Sequence, residues 1–237
     1  MLDIYEKKVF SQFGEDGITD YIFTKIGTDT EYFVEIGTQD GSECNTRFLR
    51  EQHNWAGIQI DAKYENPLIN LHKHMVNKEN IISILESYQI PDKFDYFSLD
   101  IDGIDWYILN EVLTYYEVRA FVCEYNACLD VNVDQVIQYD PNFWDAGPYN
   151  IYHGASLKAF CNLARSKSYS LVHSNGVNAF FVNDDYWTNN EDFPETNNLE
   201  VLWKDYPAFL GYRFMHEHPT HKHANFNTSE LLLELEL

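Results

Sequence analysis

The sequence predicts an α/β fold in which a mostly parallel sheet carries helices on both faces. Short apolar runs that suit strands buried on both faces alternate with stretches of helical periodicity along most of the chain. Near the end of this series, two strand-like runs, residues 169–173 and 177–182, are joined by Ser174-Asn-Gly176. This joint is typical of a hairpin and predicts one antiparallel pair that closes the sheet.

The first strand–turn–helix unit carries unusual chemistry. Residues 32–36 read as a buried strand, Gly37 and Gly41 form a turn, and a helix capped by Ser42 is predicted over residues 43–52. Such a unit builds a nucleotide pocket at the carboxyl end of its strand. The turn contains Glu35, Asp40 and Glu43, which would repel a pyrophosphate and favour hydroxyls, amines and a positive centre.

S-adenosylmethionine has all three of these groups: ribose hydroxyls, an α-amino group and a sulfonium. The alternative is an ordinary turn whose acidic residues suit the positive end of the helix dipole. A second predicted strand, residues 55–60, ends in Asp61, about 20 residues beyond the glycine turn, where this architecture places a ribose-binding acid. The alternative for Asp61 is a turn or helix cap.

Two further strands end in oxygen-bearing side chains. The apolar run of residues 94–99 is followed by Asp100 and Asp102, and the run of residues 120–123 by Glu124 and Asn126. Because neighbouring parallel strands end at one rim of a sheet, these side chains are expected to approach one another there. Carboxylates in such a group suit a hard cation such as Mg²⁺. The alternative is a set of turn-forming and capping acids.

Two segments that flank these strands in the sequence are predicted to lie over this rim of the sheet. A polar, glycine-bearing loop precedes a helix that Ser11 or Asp16 would cap and Gly27 would end, and this loop could fold over the pocket. A long loop, residues 127–153, is typical of a lid and ends at His153, a candidate general base or a structural histidine. Between these segments, we expect helices over residues 67–73 and 80–85 and an edge strand over residues 74–76.

The amino-acid composition excludes several classes of binding partner and location for this chain. A net charge of −22, from 16 basic and 38 acidic residues, argues against nucleic acid and anionic membranes as partners. No apolar run of spanning length and no signal-peptide core is visible, so a cytoplasmic location is expected. The four cysteines show no C-x-x-C spacing and are expected to be reduced. Residues 1–183 are predicted to form the main domain, and residues 184–237 a C-terminal extension whose histidines, within residues 215–223, are weak candidates for metal binding.

Together these motifs resemble a known family. Glu35-Ile-Gly37, Asp40-Gly41, Asp61, Asp100 and the closing hairpin resemble class I S-adenosylmethionine-dependent methyltransferases. Within that class, three stretches are similar to FkbM-type and related small-molecule methyltransferases: Ser11-Gln-x-Gly-Glu-Asp16, Leu99-Asp-Ile-Asp-Gly103 and Asn178-Ala-Phe-Phe181. The resemblance covers residues 10–183. It implies a Rossmann-like sheet of seven strands with one antiparallel strand, and cofactor contacts from Gln12, Glu35, Gly37, Thr38, Asp40, Gly41, Asp61 and Asp100.

The resemblance extends to metal-dependent O-methyltransferases. These enzymes place one acid after the fourth strand, matched here by Asp100, and two oxygen ligands after the fifth, matched by Glu124 and, with Tyr125 between them, Asn126. Asp102 is the alternative third ligand. The resemblance implies methyl transfer to a hydroxyl of a small, sugar-like or polyhydroxylated acceptor, with Asp100, Asp102 and His153 as catalytic candidates and Mg²⁺ as a second cofactor.

Two other functions stay open at this point. One is a nucleotide or dinucleotide enzyme on a similar sheet, and the other is a non-catalytic module that keeps the fold as an interaction surface. Assembly into a homo-oligomer is also left open.

Overall fold

A computed structural model describes residues 2–143, 152–187, 191–204 and 226–235. The strands are β1 Tyr32–Ile36, β2 Ala56–Asp61, β3 Leu71–Lys73, β4 Lys93–Leu99, β5 Glu117–Glu124, β6 Val136–Ile137, β7 Tyr169–Ser174, β8 Asn178–Asn183 and β9 Phe226–Asn227. Seven of them form one sheet in the order β3-β2-β1-β4-β5-β8-β7. Only β8 runs antiparallel to its neighbours in this sheet. The predicted Rossmann-like α/β fold with a closing hairpin is confirmed.

Helices cover both faces of this sheet. They are α1 Glu15–Ile26, α2 Arg47–Gln52, α3 Ile81–Ser87, α4 Asp105–Tyr115, α5 Leu157–Ser166, α6 Leu199–Leu202 and α7 Ser229–Leu235, with 3-10 turns at Leu2–Tyr5, Pro67–Ile69 and Asp184–Tyr186. Successive strand residues point to opposite faces, so Phe33 belongs to the core that includes residues of α1, and Val34 belongs to the core that includes residues of α3, α4 and α5. Two apolar cores therefore sandwich the sheet.

Three local predictions are wrong. The helix predicted over residues 67–73 is only the 3-10 turn Pro67–Ile69, because the chain reverses at Asn70 in the left-handed region and Leu71–Lys73 pairs with β2. The edge strand is therefore this segment and not residues 74–76. The helix predicted from residue 43 begins only at Arg47, with Thr46 and not Ser42 at its N-cap.

The first helix also starts differently from the prediction. Its N-cap is Gly14, in the left-handed region, and neither Ser11 nor Asp16 takes that position. Gly27 ends the helix as predicted, and the helix predicted over residues 80–85 is present as α3.

The described residues beyond Asn183 contribute to the two cores of the fold. Phe193 and Leu202 are buried in the two cores, and β9 pairs with β6. Ser229, at the start of α7, donates its hydroxyl to Asp134. The histidines at residues 215–223 lie outside the described residues. Among the residues that the structure describes, no helix has both the length and the apolar character that crossing a bilayer requires.

A buried carboxylate secures the end of the sheet opposite to the motif residues. Asp95, on β4, accepts backbone N–H groups from Asp29, Thr30 and Glu31. It also pairs with the Arg119 guanidinium at 2.9 Å, and both side chains are largely withdrawn from water. The loop that enters β1 is thereby fixed to the middle of the sheet.

We predict that Asp95→Ala lowers the free energy of unfolding by about 3–5 kcal/mol, because it leaves a buried guanidinium and three N–H groups without their acceptor. Chemical denaturation followed by circular dichroism measures the change. Asp29→Ala is the matched control, since the exposed Asp29 contributes only its backbone N–H to Asp95. A loss for Asp95→Ala no larger than that of the control would contradict the assignment.

Candidate functional site

Strand register brings the candidate side chains into one row. Ile36 of β1 lies level with Ile60 of β2 and Leu99 of β4, and Leu99 is level with Cys123 of β5. The next residue along each of these strands is Gly37, Asp61, Asp100 or Glu124. Four motifs that are far apart in the chain thus meet at one rim of the sheet.

Gly37 is where the strands approach most closely. It has a φ of 90° and donates its N–H to the Ile60 carbonyl at 2.8 Å. A Cβ at this position would lie 1.5 Å from the Asp100 carbonyl oxygen. Any other residue would therefore push β4 away, so the glycine is required by packing as well as by its backbone conformation.

Glu35 has a structural role that its sequence position did not reveal. Its side chain is 3% exposed and accepts the N–H groups of Asn45 and Thr46 at 2.8 and 3.2 Å. It also accepts the Thr46 hydroxyl, and Gln59 donates to it at 3.3 Å. The carboxylate thus takes the N–H groups of the two residues that precede α2 and places its negative charge beside the start of that helix, where a phosphate would otherwise be favoured.

Asp61 is held in a fixed orientation at the end of β2. Its Oδ2 accepts the Gln39 N–H at 2.9 Å, and its Oδ1 accepts those of Lys63 and Tyr64 at 2.7 and 3.1 Å. A carboxylate offers about four acceptor positions, so one position on Oδ2 is left for a ligand hydroxyl. The three N–H donors make Asp61 a rigid acceptor.

Asp100, Asp102 and Glu124 form the acidic group at this rim. One oxygen from each lies within 4.8 Å of the other two, with Asp100 and Glu124 partly buried and Asp102 exposed. Burial raises the pKa of Asp100 well above its ordinary value, and the charges of Asp102 and Asp105 raise it further. Burial followed by the charge of Asp100 has the same effect on the pKa of Glu124.

Asp105 supports this group from the first turn of α4. Its two oxygens accept the N–H groups of Ile101 and Gly103, each at 2.8 Å, which shapes the loop that carries Asp100 and Asp102. Burial raises the pKa of Asp105 to about 6, although these two hydrogen bonds act in the opposite direction. Asp105 therefore fixes the loop that carries Asp100 and Asp102.

A cavity of about 610 Å³ at the carboxyl ends of the strands is lined by Gly37, Asp61, Asp100, Asp102 and Glu124. This volume suits a small organic ligand. Near β2 the wall includes Asp61, Lys63, Tyr64, His74 and Met75, and near β4 and β5 it includes Phe13, Asp100, Asp102, Glu124, Phe143 and Val177. The cavity thus has a polar, partly aromatic end and an end that combines acids with apolar side chains.

The predicted site residues divide into two sets. Of the predicted cofactor contacts, the wall contains Gln12, Gly37, Asp61 and Asp100. Among the residues described, four others lie off the wall: Glu35, Thr38, Asp40 and Gly41. Asp40 instead accepts the backbone N–H and hydroxyl of Ser42, and Gly41 packs against the side chain of Ile69. Asp40 and Gly41 therefore shape the turn without lining the cavity.

Neither Asn126 nor His153 is brought to the wall by the structure. The Asn126 amide donates to the His153 carbonyl at 3.0 Å and accepts the Cys128 N–H at 3.1 Å. These contacts tie the two ends of the long loop together, of which residues 144–151 lie outside the described part. Asp102, the alternative third ligand, lies close to Asp100 and Glu124 and forms the acidic group with them.

Several wall residues carry no sequence signal of their own. Lys63, Tyr64 and His74 follow strands in ordinary loop sequence, and Val177 lies in the hairpin turn. Phe143 is on the wall because its ring lies against Gly103, where a Cβ would come within 2.8 Å of it. Gly103 indicates from the sequence that another group approaches the backbone closely at this position, but the sequence does not identify that group as the Phe143 ring.

Comparisons with known proteins give a fold likeness only. No protein-family model and no curated protein matches the chain. Among solved structures, the chain is similar to the mitomycin 7-O-methyltransferase MmcR, with 15% sequence identity and a TM-score of 0.33. The match covers 72% of this chain and 54% of that protein, so the chain spans about half of its length.

We predict that the acidic group lowers stability at neutral pH in metal-free buffer. Because its carboxyl pKa values are raised, the folded state keeps protons that the unfolded chain releases above about pH 4, so the unfolding free energy falls as pH rises from there. The variant Asp100→Asn/Glu124→Gln should be more stable than wild type at pH 7.5, by about 1–3 kcal/mol, and by less at pH 4.5.

Urea denaturation at both pH values measures this difference. Glu43→Gln, at an exposed acid that pairs with Lys8, controls for the general loss of negative charge. Equal stability differences at the two pH values would contradict the raised pKa values.

Proposed function

We propose that this protein is an S-adenosylmethionine-dependent methyltransferase that transfers the methyl group to a hydroxyl of a small acceptor. The observation that carries this proposal is that Asp61 is a rigid carboxylate at the end of β2, while the Glu35 carboxylate lies beside the start of α2. A ligand at this rim must offer hydroxyl donors to Asp61 and needs no phosphate at α2.

The rest of the wall suits the same cofactor. One ribose hydroxyl would donate to Asp61, and the adenine would lie among Tyr64, His74 and Met75, which border the same end of the cavity. The amino group and sulfonium of the methionine part would be drawn toward Asp100, next to Gly37. Each cofactor group thereby meets a wall of complementary chemistry.

The dinucleotide alternative fits this wall less well. In that class a pyrophosphate binds the N–H groups at the start of the first helix. Here the Glu35 carboxylate takes the N–H groups of Asn45 and Thr46, just before α2, so an incoming phosphate would meet a negative charge beside the helix start. This contact favours a nucleoside without phosphates.

A divalent cation is proposed as the second cofactor. Asp100, Asp102 and Glu124 supply three oxygens within 4.8 Å of one another, and the strongest charges acting on Asp100 and Glu124 come from other carboxylates. Oxygen donors of this type fit Mg²⁺, which binds few protein ligands and keeps water. When bound, the ion would lower the pKa of an acceptor hydroxyl and orient it.

The chain's own residues would perform the remaining tasks. The carboxylate oxygen of Asp102 that would not bind the ion is the proposed acceptor of the hydroxyl proton, since Asp102 is the exposed member of the group. Phe13, Phe143 and Val177 would exclude water and hold the apolar side of the acceptor, so that its oxygen faces the sulfonium methyl in line. The acidic wall disfavours phosphorylated or carboxylated acceptors, and an uncharged, polyhydroxylated molecule fits best.

We predict that S-adenosylhomocysteine binds to the protein and that NAD does not, as measured by isothermal titration calorimetry. Asp61→Asn should weaken S-adenosylhomocysteine binding at least about tenfold, because one ribose hydroxyl loses a charged acceptor. Glu65→Gln, at a nearby exposed acid away from the wall, should leave affinity unchanged. Tighter binding of NAD would refute the cofactor assignment.

We further predict that Mg²⁺ raises the melting temperature of the wild-type protein, since an ion that binds only the folded state stabilises it by about 1.4 kcal/mol at ten times its dissociation constant. Thermal denaturation with added MgCl₂ or EDTA measures the effect. Asp102→Asn/Glu124→Gln should abolish it, and Asp92→Asn, at an exposed acid remote from the rim, should not. An equal Mg²⁺ response in all three proteins would exclude this metal site.

A further inference from the structure

One wall of the cavity comes from outside the sheet. Residues 9–14, which we name the strap, precede α1 and place Gln12 and Phe13 on the wall. Asp16 shapes this segment locally, because its Oδ2 accepts the N–H groups of Val9, Phe10 and Ser11 at 2.7–2.9 Å. These bonds fold the strap but do not fasten it to the sheet.

Glu15 makes the connection to the sheet. Its carboxylate is fully buried, and its Oε2 accepts the Phe13 N–H at 2.7 Å. Its Oε1 accepts the side-chain amides of Asn175 and Asn178 at 2.6 and 2.9 Å. One side chain thereby joins the strap to the turn between β7 and β8.

The hairpin side of this contact lies next to the acidic group. Asn178 is opposite Glu124 in the β5–β8 register, and Val177 is on the cavity wall. Asn175 is fixed in orientation, since its Oδ1 accepts the N–H groups of Val177 and Asn178 at 3.1 and 2.7 Å. The contact therefore sets the distance between Phe13 and the end of the cavity where the methyl acceptor is proposed to bind.

We propose that Glu15 is a positioning residue that clasps the strap over the cavity and, resting on the proposed function, supports binding of S-adenosylmethionine. A carboxylate suits this place because it only accepts hydrogen bonds, and three N–H donors converge on it. The neighbouring Gln12 and Phe13 then present a fixed wall to the cofactor and the acceptor. Without the clasp, the strap keeps its local fold and the contact of Phe10 with Arg47, but it loses its attachment to the turn between β7 and β8.

The arrangement of hydrogen-bond donors around Glu15 allows the amide and the carboxylate to be exchanged between positions 15 and 175. In Glu15→Gln, the new amide NH₂ must face either the Phe13 N–H or the fixed Asn175 amide, so two donors oppose each other. In Asn175→Asp, two carboxylates oppose each other. In the double variant, the new amide accepts from Phe13 through its oxygen and donates through its NH₂ to the new carboxylate. Among the described residues, the Asn178 Oδ1 has no hydrogen-bond partner, so the Asn178 amide can turn over to accept from the same NH₂.

The test combines hydrogen exchange with cofactor binding in the full chain. Each single variant should raise amide exchange in the strap and weaken S-adenosylhomocysteine binding by about tenfold, and the double variant should return both to within about threefold of wild type. Exchange in β4 serves as the folding reference. Asp20→Asn, at an exposed acid on α1, should leave both measurements unchanged.

The outcomes separate the clasp from the proposed function. Unchanged strap exchange in both single variants overturns the clasp. Increased exchange with unchanged affinity overturns its role in binding, and so does a double variant that stays as weak as the single variants. If the wild-type protein binds no S-adenosylhomocysteine, the proposed function fails, while the exchange measurements still decide whether Glu15 holds the strap.

Discussion

The close contact between Gly37 and the Asp100 carbonyl is the constraint on which the rest of the site depends. It draws the ends of β1 and β4 together, and the bond from the Gly37 N–H to Ile60 adds β2. With the strand ends level, Asp61 and Asp100 stand on either side of the turn. A side chain at Gly37 would push the end of β4 away and separate Asp100 from the other residues of the rim.

The buried carboxylates of this acidic chain fall into two classes, according to the groups that surround them. Glu15, Glu35 and Asp95 are each surrounded by N–H donors, and their negative charge is used to fasten a loop. Burial raises the pKa values of Asp100 and Glu124, and the charges of neighbouring acids raise them further. Since burying unbalanced carboxylates costs free energy, this pair is the part of the structure that a cation or a polar ligand would complement best.

Sequence patterns located the acids of the rim well but not their roles. Asp61, Asp100 and Glu124 were identifiable because each follows an apolar run, and the carboxyl ends of parallel strands share a rim. Glu35 also follows the pattern of a ligand residue, yet its side chain faces the start of α2. His153 and Asn126 carry suitable chemistry, but the side chain of Asn126 is used to hold the backbone of the loop. Side-chain direction in a turn is set by contacts that spacing does not encode.

The sequence by itself determined six of the seven strands of the main sheet, the closing hairpin and the acids at the rim, because apolar periodicity and glycine turns are local properties. It misplaced the edge strand β3. The tertiary structure alone decided which of those acids meet a cavity and which hold loops. It also assigned wall positions to Phe13, Phe143 and Val177, which have no motif of their own, and attached the strap to the hairpin through Glu15. Such contacts join residues far apart in the chain, and their existence depends on strand register and on the packing of segments that the local sequence does not specify.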